Sequence, residues 1–175
     1  MHFTICTIGF AGKTAEEFFD LLQQAGVKKV IDIRENRVGQ LSGFAKYPGI
    51  VFFLERVAGI AYGYEPVLAP TPEIRKAYRR AKDWSAYESS FLQLMRDRGI
   101  PEQLEPSQFE GTVALLCSEP GPEKCHRRLV AELLAEYWRS QSHVVEIRHL
   151  LSKKHAPSLR KRKRPSAGDD GTPHK

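Results

Sequence analysis

Residues 117–128 read Cys-Ser-Glu-Pro-Gly-Pro-Glu-Lys-Cys-His-Arg-Arg, the densest run of reactive side chains in the chain. An apolar stretch, Thr112–Cys117, precedes it and a helical pattern follows. A strand-to-helix turn of that kind points backbone N–H groups and the positive end of a helix dipole at one place, which suits an anion. Lys124, Arg127 and Arg128 add cations, whose repulsion by the dipole a bound anion offsets, and His126 can donate a hydrogen bond or a proton. Cys117 is a candidate thiolate, because helix N-termini and nearby cations lower thiol pKa values. The run departs from the Cys-x5-Arg loop that wraps a tetrahedral anion: Glu123 stands where that pattern needs Arg, and Pro120 and Pro122 remove two backbone donors. An inert buried thiol is the competing reading of Cys117. Cys117, Cys125 and His126 lack a nearby fourth ligand for zinc, so no metal and no cofactor are expected.

Asp32 and Arg34 form the second candidate group, within Val30-Ile31-Asp32-Ile33-Arg34. A carboxylate in an apolar strand is costly unless paired, and residues two apart on a strand share a face. The pair is either structural or the polar mouth of a strand opposite the anion turn. Ser42, Phe44, Lys46, Tyr62 and Tyr64 are candidates for the rim.

The elements that must position these residues follow from periodicity. Buried strands are expected over Phe3–Ile8, Lys28–Arg34, Ile60–Tyr64, Thr112–Cys117 and Val144–Ile147. Helices are expected after the Thr14/Glu17 capping pair, over Tyr47–Ala58, from Thr71, over Trp84–Arg98 and over Glu123–Arg139, with Glu35–Lys46 a loop. Strands separated by helices predict an α/β fold, a mostly parallel sheet sandwiched between helices in one domain. Ligands of such sheets gather at the carboxyl ends of the strands, which are the segments Gly9–Lys13, Asp32–Lys46 and Cys117–Arg128.

A hydrophobic fraction of 41% over 175 residues is enough for a core and excludes a wholly disordered chain. No apolar run reaches the ~20 residues that span a bilayer, the N-terminus lacks the pattern of a secretory signal, and three cysteines fit a reducing cytoplasm better than a stapled secreted fold. From Ser152 onward there are eight basic residues and two acids, a net of +6, which leaves 19 of each sign in residues 1–151. The basic character therefore belongs to a tail, residues 152–175, expected to be disordered. That tail is either a solubilising end or an attraction to phosphate backbones.

Together these segments resemble the DUF488 family. The resemblance rests on Thr7-Ile8-Gly9-Phe10, on Val30–Arg34, on Ser42-Gly43-Phe44-Ala45-Lys46, on Gly59-Ile60-Ala61-Tyr62 and most of all on the run Leu115–Arg127 with its Cys-His-Arg ending. It spans about residues 3–150 and implies an α/β fold with a site around Arg34, Cys117, Cys125, His126 and Arg127. It assigns no reaction. Many members carry a Pro and an Arg around the Ser of the second loop, where this chain has Val38, Gly39, Gln40 and Leu41, which suggests a different substrate.

Three functions are expected to compete. The first is an enzyme on a phosphate-bearing nucleic-acid substrate, best matched by hydrolysis of a nucleobase N-glycosidic bond. In it Asp32 or Glu119 does acid–base work and His126 assists the leaving base. Arg34, Arg127 and Arg128 hold phosphates, and Phe44, Tyr62 or Tyr64 stack on an extruded base. DNA is the expected partner, held partly by the tail. The second is thiol chemistry, such as sulfur transfer, at Cys117 or Cys125. The third is a non-catalytic nucleic-acid or nucleotide-binding module.

Overall fold

Five strands, β1 (His2–Gly9), β2 (Lys29–Asp32), β3 (Ala61–Tyr64), β4 (Gly111–Cys117) and β5 (Val144–Leu150), form one sheet in the order β3-β2-β4-β1-β5. Every neighbouring pair is parallel. The computed structural model describes residues 1–39 and 42–152; the tail expected from Ser152 lies, apart from Ser152 itself, outside the described residues.

The three inner strands, β1, β2 and β4, are apolar on both sides, because both faces are covered there. Odd-numbered residues (Phe3, Ile5, Ile31, Ile33, Val113, Leu115) pack under α4 (Trp84–Asp97) and α5 (His126–Ser140), where Phe91, Met95, Leu134 and Trp138 are fully buried. Even-numbered ones (Cys6, Ile8, Val30, Ala114, Leu116) pack under α1 (Ala15–Gln24), α2 (Gly49–Phe52) and the π-helical turn Phe53–Ala58 that continues it. The period of two along each strand thus feeds two separate apolar layers. The remaining helix, α3 (Pro72–Ala81), opens on Thr71, whose hydroxyl accepts from the Ile74 amide, with Pro72 at the first helical position. It reaches the α4 layer through Ile74 and Tyr78. Among the described residues no helix is long and apolar enough to cross a membrane.

The expected elements are all present, most with boundaries shifted by one to three residues. The second strand ends at Asp32, the fifth runs on to Leu150, and a short 3-10 turn, Gly43–Ala45, lies inside the expected loop. The helix expected from Glu123 begins only at His126, because Cys125 is extended (φ −139°, ψ 137°). That last shift places the Cys125 side chain at the helix entrance.

The chain leaves β1 towards β2 on one side of the sheet and leaves β4 towards β5 on the other. β1 and β4 are neighbours whose carboxyl ends pair at Gly9 and Cys117. This is the point of reversed strand order at which parallel sheets open a crevice.

Candidate active site

A cleft of about 890 Å³ opens over that point. Its floor is Cys117, Cys125 and His126; Phe10, Ala11 and Gly12 come from the end of β1, and Arg34, Glu35, Asn36, Gly39 and Ser42 from the loop after β2. Ser118, Glu119 and Lys124 add the turn after β4, and Pro70, Arg75, Tyr78, Arg79 and Lys82 add α3 and its approach.

The floor is a hydrogen-bonded chain. Cys117, at the end of β4, places its Sγ 3.6 Å from Nδ1 of His126. His126 places Nε2 3.1 Å from the Ile33 carbonyl oxygen. Both ring nitrogens thus face acceptors, the arrangement that satisfies a doubly protonated imidazolium. The Cys125 thiol donates to Cys117. Cys117, Cys125 and His126 are 4%, 2% and 7% exposed, so the chain is nearly dry where it is not the cleft floor.

The electrostatics follow from these contacts. The hydrogen bond from Cys125, opposed by burial and aided by the His126 charge and hydrogen bond and by the backbone at Glu119, holds the Cys117 thiol well below the ordinary thiol value. Burial, with the donation to Cys117 and the negative charge there, pushes the Cys125 thiol well above it. Burial works against the His126 imidazolium, but the Cys117 thiolate and the Ile33 carbonyl outweigh it and raise the His126 pKa. Desolvation and the Cys117 charge raise the carboxyl of Glu119. One negative charge therefore sits mainly on Cys117, beside an imidazolium. Cys6, buried beneath α1, is pushed up to about 11 and stays a neutral thiol.

Arg127 is fully buried, and among the described residues no carboxylate pairs with it. Its guanidinium donates to the carbonyl oxygens of Glu119 (2.6 Å) and Pro120 (3.3 Å) and to Cys125 Sγ (3.5 Å). A buried cation costs several kcal/mol if nothing offsets it; the two carbonyl oxygens, and the Glu119 carboxylate whose pKa it lowers, offset it here. Arg127 also explains Gly9. A Cβ there would meet the Glu119 carbonyl oxygen at 1.7 Å and Arg127 Nη1 at 2.8 Å, so only a glycine lets the turn after β4 lie against the end of β1.

Asp32 is buried and saturated. Its Oδ1 accepts from the Arg34 backbone N–H (3.1 Å) and Nε (2.8 Å), and its Oδ2 from Arg34 Nη2 (2.6 Å) and the Tyr62 hydroxyl (2.8 Å). Four donors fill the acceptor capacity of a carboxylate, and Asp32 does not line the cleft. Of the two readings of the Asp32–Arg34 pair, the contacts favour the structural one for Asp32. Arg34 does line the cleft, but its guanidinium is held by Asp32 and by the Ala45 carbonyl (2.9 Å).

Several expected rim residues are occupied elsewhere. Phe44 packs against Phe18 and Phe19. Tyr62 is committed to Asp32 and accepts from Arg37 Nη1 (3.1 Å); burial and the Asp32 carboxylate, against the lowering contact with Arg37, push its phenol up to about 12. Tyr64 and Tyr47 sandwich the Arg37 guanidinium at 3.6 and 4.1 Å from their ring centroids. Lys46 is exposed and outside the cleft. Arg128 pairs with Glu132 and Glu88 across the α5–α4 surface, and Arg127 is enclosed in the turn. Neither arginine lines the cleft. The structure does bring Arg34, Ser42, Cys117, Glu119, Cys125 and His126 together around one cleft.

Sequence reasoning missed the α3 side: Arg75, Tyr78, Arg79 and Lys82. A signal existed in the spacing of Arg75 and Arg79, which puts two cations on one helical face, with Lys82 following as the left-handed cap. Nothing in the sequence said which face of the sheet that helix approaches. Arg98 decides it, donating to the carbonyl oxygens of Val67 and Ala69 and so fixing the segment that enters α3.

The donor atoms of Cys117, Cys125 and His126 lie within 4.8 Å of one another, a two-sulfur, one-nitrogen set of the type that soft metal ions take. A family model described as "Domain of unknown function DUF488" matches residues 14–134. No curated protein and no solved structure matches the chain.

Proposed function

The chain belongs to the DUF488 family, and we propose that this member is a cysteine-dependent enzyme whose Cys117 thiolate attacks an electrophilic centre of a negatively charged substrate. The observation that carries the reading is the floor itself: a thiol at the carboxyl end of a strand, flanked by a donor thiol and an imidazole with both nitrogens on acceptors. That is the arrangement of an activated nucleophile. In the forward step the Cys117 sulfur forms a bond to the electrophile and the bond to the leaving group breaks. His126 Nδ1–H is positioned to give that group its proton. Thiol and sulfur transfer belong to this class. The cations of the cleft, Lys124, Arg79 and Lys82, outnumber the carboxylates Glu119 and Glu35, of which Glu35 is already paired with Arg75, and this supports an anionic substrate.

The test is alkylation of the full chain, read residue by residue by mass spectrometry. Cys117 is expected to react with anionic iodoacetate faster than with neutral iodoacetamide, the reverse of a free thiol's preference, and inorganic phosphate is expected to slow it. A Cys117 that reacts no faster than a free cysteine with either reagent sinks the reading.

Hydrolysis of an N-glycosidic bond is the second reading. It rests on Glu119 alone, because Asp32 has no free acceptor. Glu119 faces the cleft with a raised carboxyl pKa, as an acid catalyst needs. DNA with modified bases that yields abasic sites with wild-type chain and with Cys117→Ser, but not with Glu119→Gln, would favour this reading over the thiol one.

A further inference from the structure

The substrate class is written on α3. Arg75 and Arg79, four residues apart, share one face of α3, Lys82 is the left-handed residue that caps its carboxyl end, and all three line the cleft. Arg75 is partnered by Glu35. Arg79 and Lys82 are exposed and have no carboxylate partner among the described residues. Arg75 and Arg79 are one turn apart, about 6 Å of helix axis, and Lys82 continues the row past the helix end. A single phosphate fills the reach of one such cation, whereas a row of this length matches consecutive backbone phosphates. The rings of Tyr78, Tyr87 and Phe10 line the same cleft, Tyr78 packing against Trp84 and Tyr87. Planar rings beside a cationic track are the two parts of a single-strand site: phosphates follow the cations and bases stack on the rings. The depth of the floor argues against a duplex. Cys117 is 4% exposed, and a base held in a paired stack does not reach a recessed atom.

We propose that α3 carries a single nucleic-acid strand past the Cys117–His126 corner, with Arg79 and Lys82 as its phosphate contacts and Tyr78 as a stacking ring. The proposal deepens the reading above by naming the substrate class of the same cleft, and rests on that cleft being the site.

The experiment uses the full chain and a fluorescent oligothymidylate of about a dozen nucleotides, with binding followed by anisotropy over salt from about 50 to 200 mM. Arg79→Gln/Lys82→Gln is expected to weaken binding about tenfold near 0.1 M salt and to reduce the slope of log affinity against log salt by about 1.4, two contacts at about 0.7 each. Lys76→Gln/Arg80→Gln removes the same charge from residues of α3 that do not line the cleft and is expected to stay within about twofold of wild type. The basic tail is common to all variants and drops out of the comparison. Equal losses from both pairs, or no loss from the first, overturns the proposal. So does a duplex of the same length that loses affinity equally with Arg79→Gln/Lys82→Gln. Cys117→Ser is expected to keep wild-type affinity while losing alkylation, so failure of the strand site and failure of the thiol reading appear in different measurements.

Discussion

The Cys117–His126 contact has a definite pH signature. A thiol held below its ordinary value stays ionised as pH falls through the range, near 8.5, where a free thiol protonates. An imidazole held above its ordinary value stays charged as pH rises past about 6.5. The thiolate–imidazolium pair therefore occupies the window between the lowered thiol and the raised imidazole. The alkylation rate of Cys117 by iodoacetamide is expected to be flat from pH 9 down through neutrality. His126→Ala, which removes both the charge and the hydrogen bond, should move its midpoint up towards the free-thiol value; an unmoved midpoint would show that His126 does not stabilise the thiolate. The Asp32–Arg34 pair makes a different prediction. Asp32→Asn leaves a buried guanidinium without its counter-charge, a change that costs roughly 3–5 kcal/mol. Denaturant unfolding is the measurement. A loss below about 1 kcal/mol would mean that the carboxylate does not hold Arg34 in place.

At the level of elements, the site depends on how closely two loops approach. The Ala11 N–H donates to the Ser118 carbonyl (3.0 Å), tying the end of β1 to the turn after β4. Gly9 lets the Glu119 carbonyl and Arg127 come within contact of the β1 backbone. Gly9→Ala is expected to push that turn away, at a cost of about 1–3 kcal/mol for the overpacking, and to slow Cys117 alkylation in the fraction that remains folded. Wild-type alkylation kinetics in a folded Gly9→Ala chain would show that the close approach does not set the thiol's environment. The late start of α5 matters for the same reason: were Cys125 the first helical residue, its side chain would not enter the strand-to-helix corner where it meets Cys117.

The whole molecule is one sheet with an apolar layer on each side, and the site sits at one edge of both. Trp138 and Phe18, both fully buried, belong to opposite layers. Because they share the sheet between them, each substitution to Ala is expected to cost about 3–5 kcal/mol within a single cooperative unfolding transition. Two separated transitions in Phe18→Ala would show that the layers fold independently. The cleft's charge also belongs to this scale. Residues 1–151 hold equal numbers of each sign, yet folding gathers Arg79, Lys82 and Lys124 around one opening and ties Arg128 to Glu132 and Glu88 outside it. Net charge said nothing of that sorting.

What the sequence by itself determined is local or periodic. Continuous apolar runs and helical spacing require a parallel α/β sheet, because the inner strands carry apolar residues on both faces and only two covering layers bury them. The strand-to-helix run from Cys117 to Arg127 likewise announces a corner rich in thiol and imidazole, since those neighbours in sequence stay neighbours in space. The tertiary structure decided the partners that sequence distance hides. Tyr62, thirty residues from Asp32, joins Arg34 in filling that carboxylate; Arg37 takes the tyrosines expected at the rim; and α3 brings its cations to the cleft although 29 residues, 82–110, separate it from β4. The physical reason is the same in each case: a hydrogen bond or ion pair is satisfied by whichever group the packing of the layers delivers, and that delivery is a property of the folded whole.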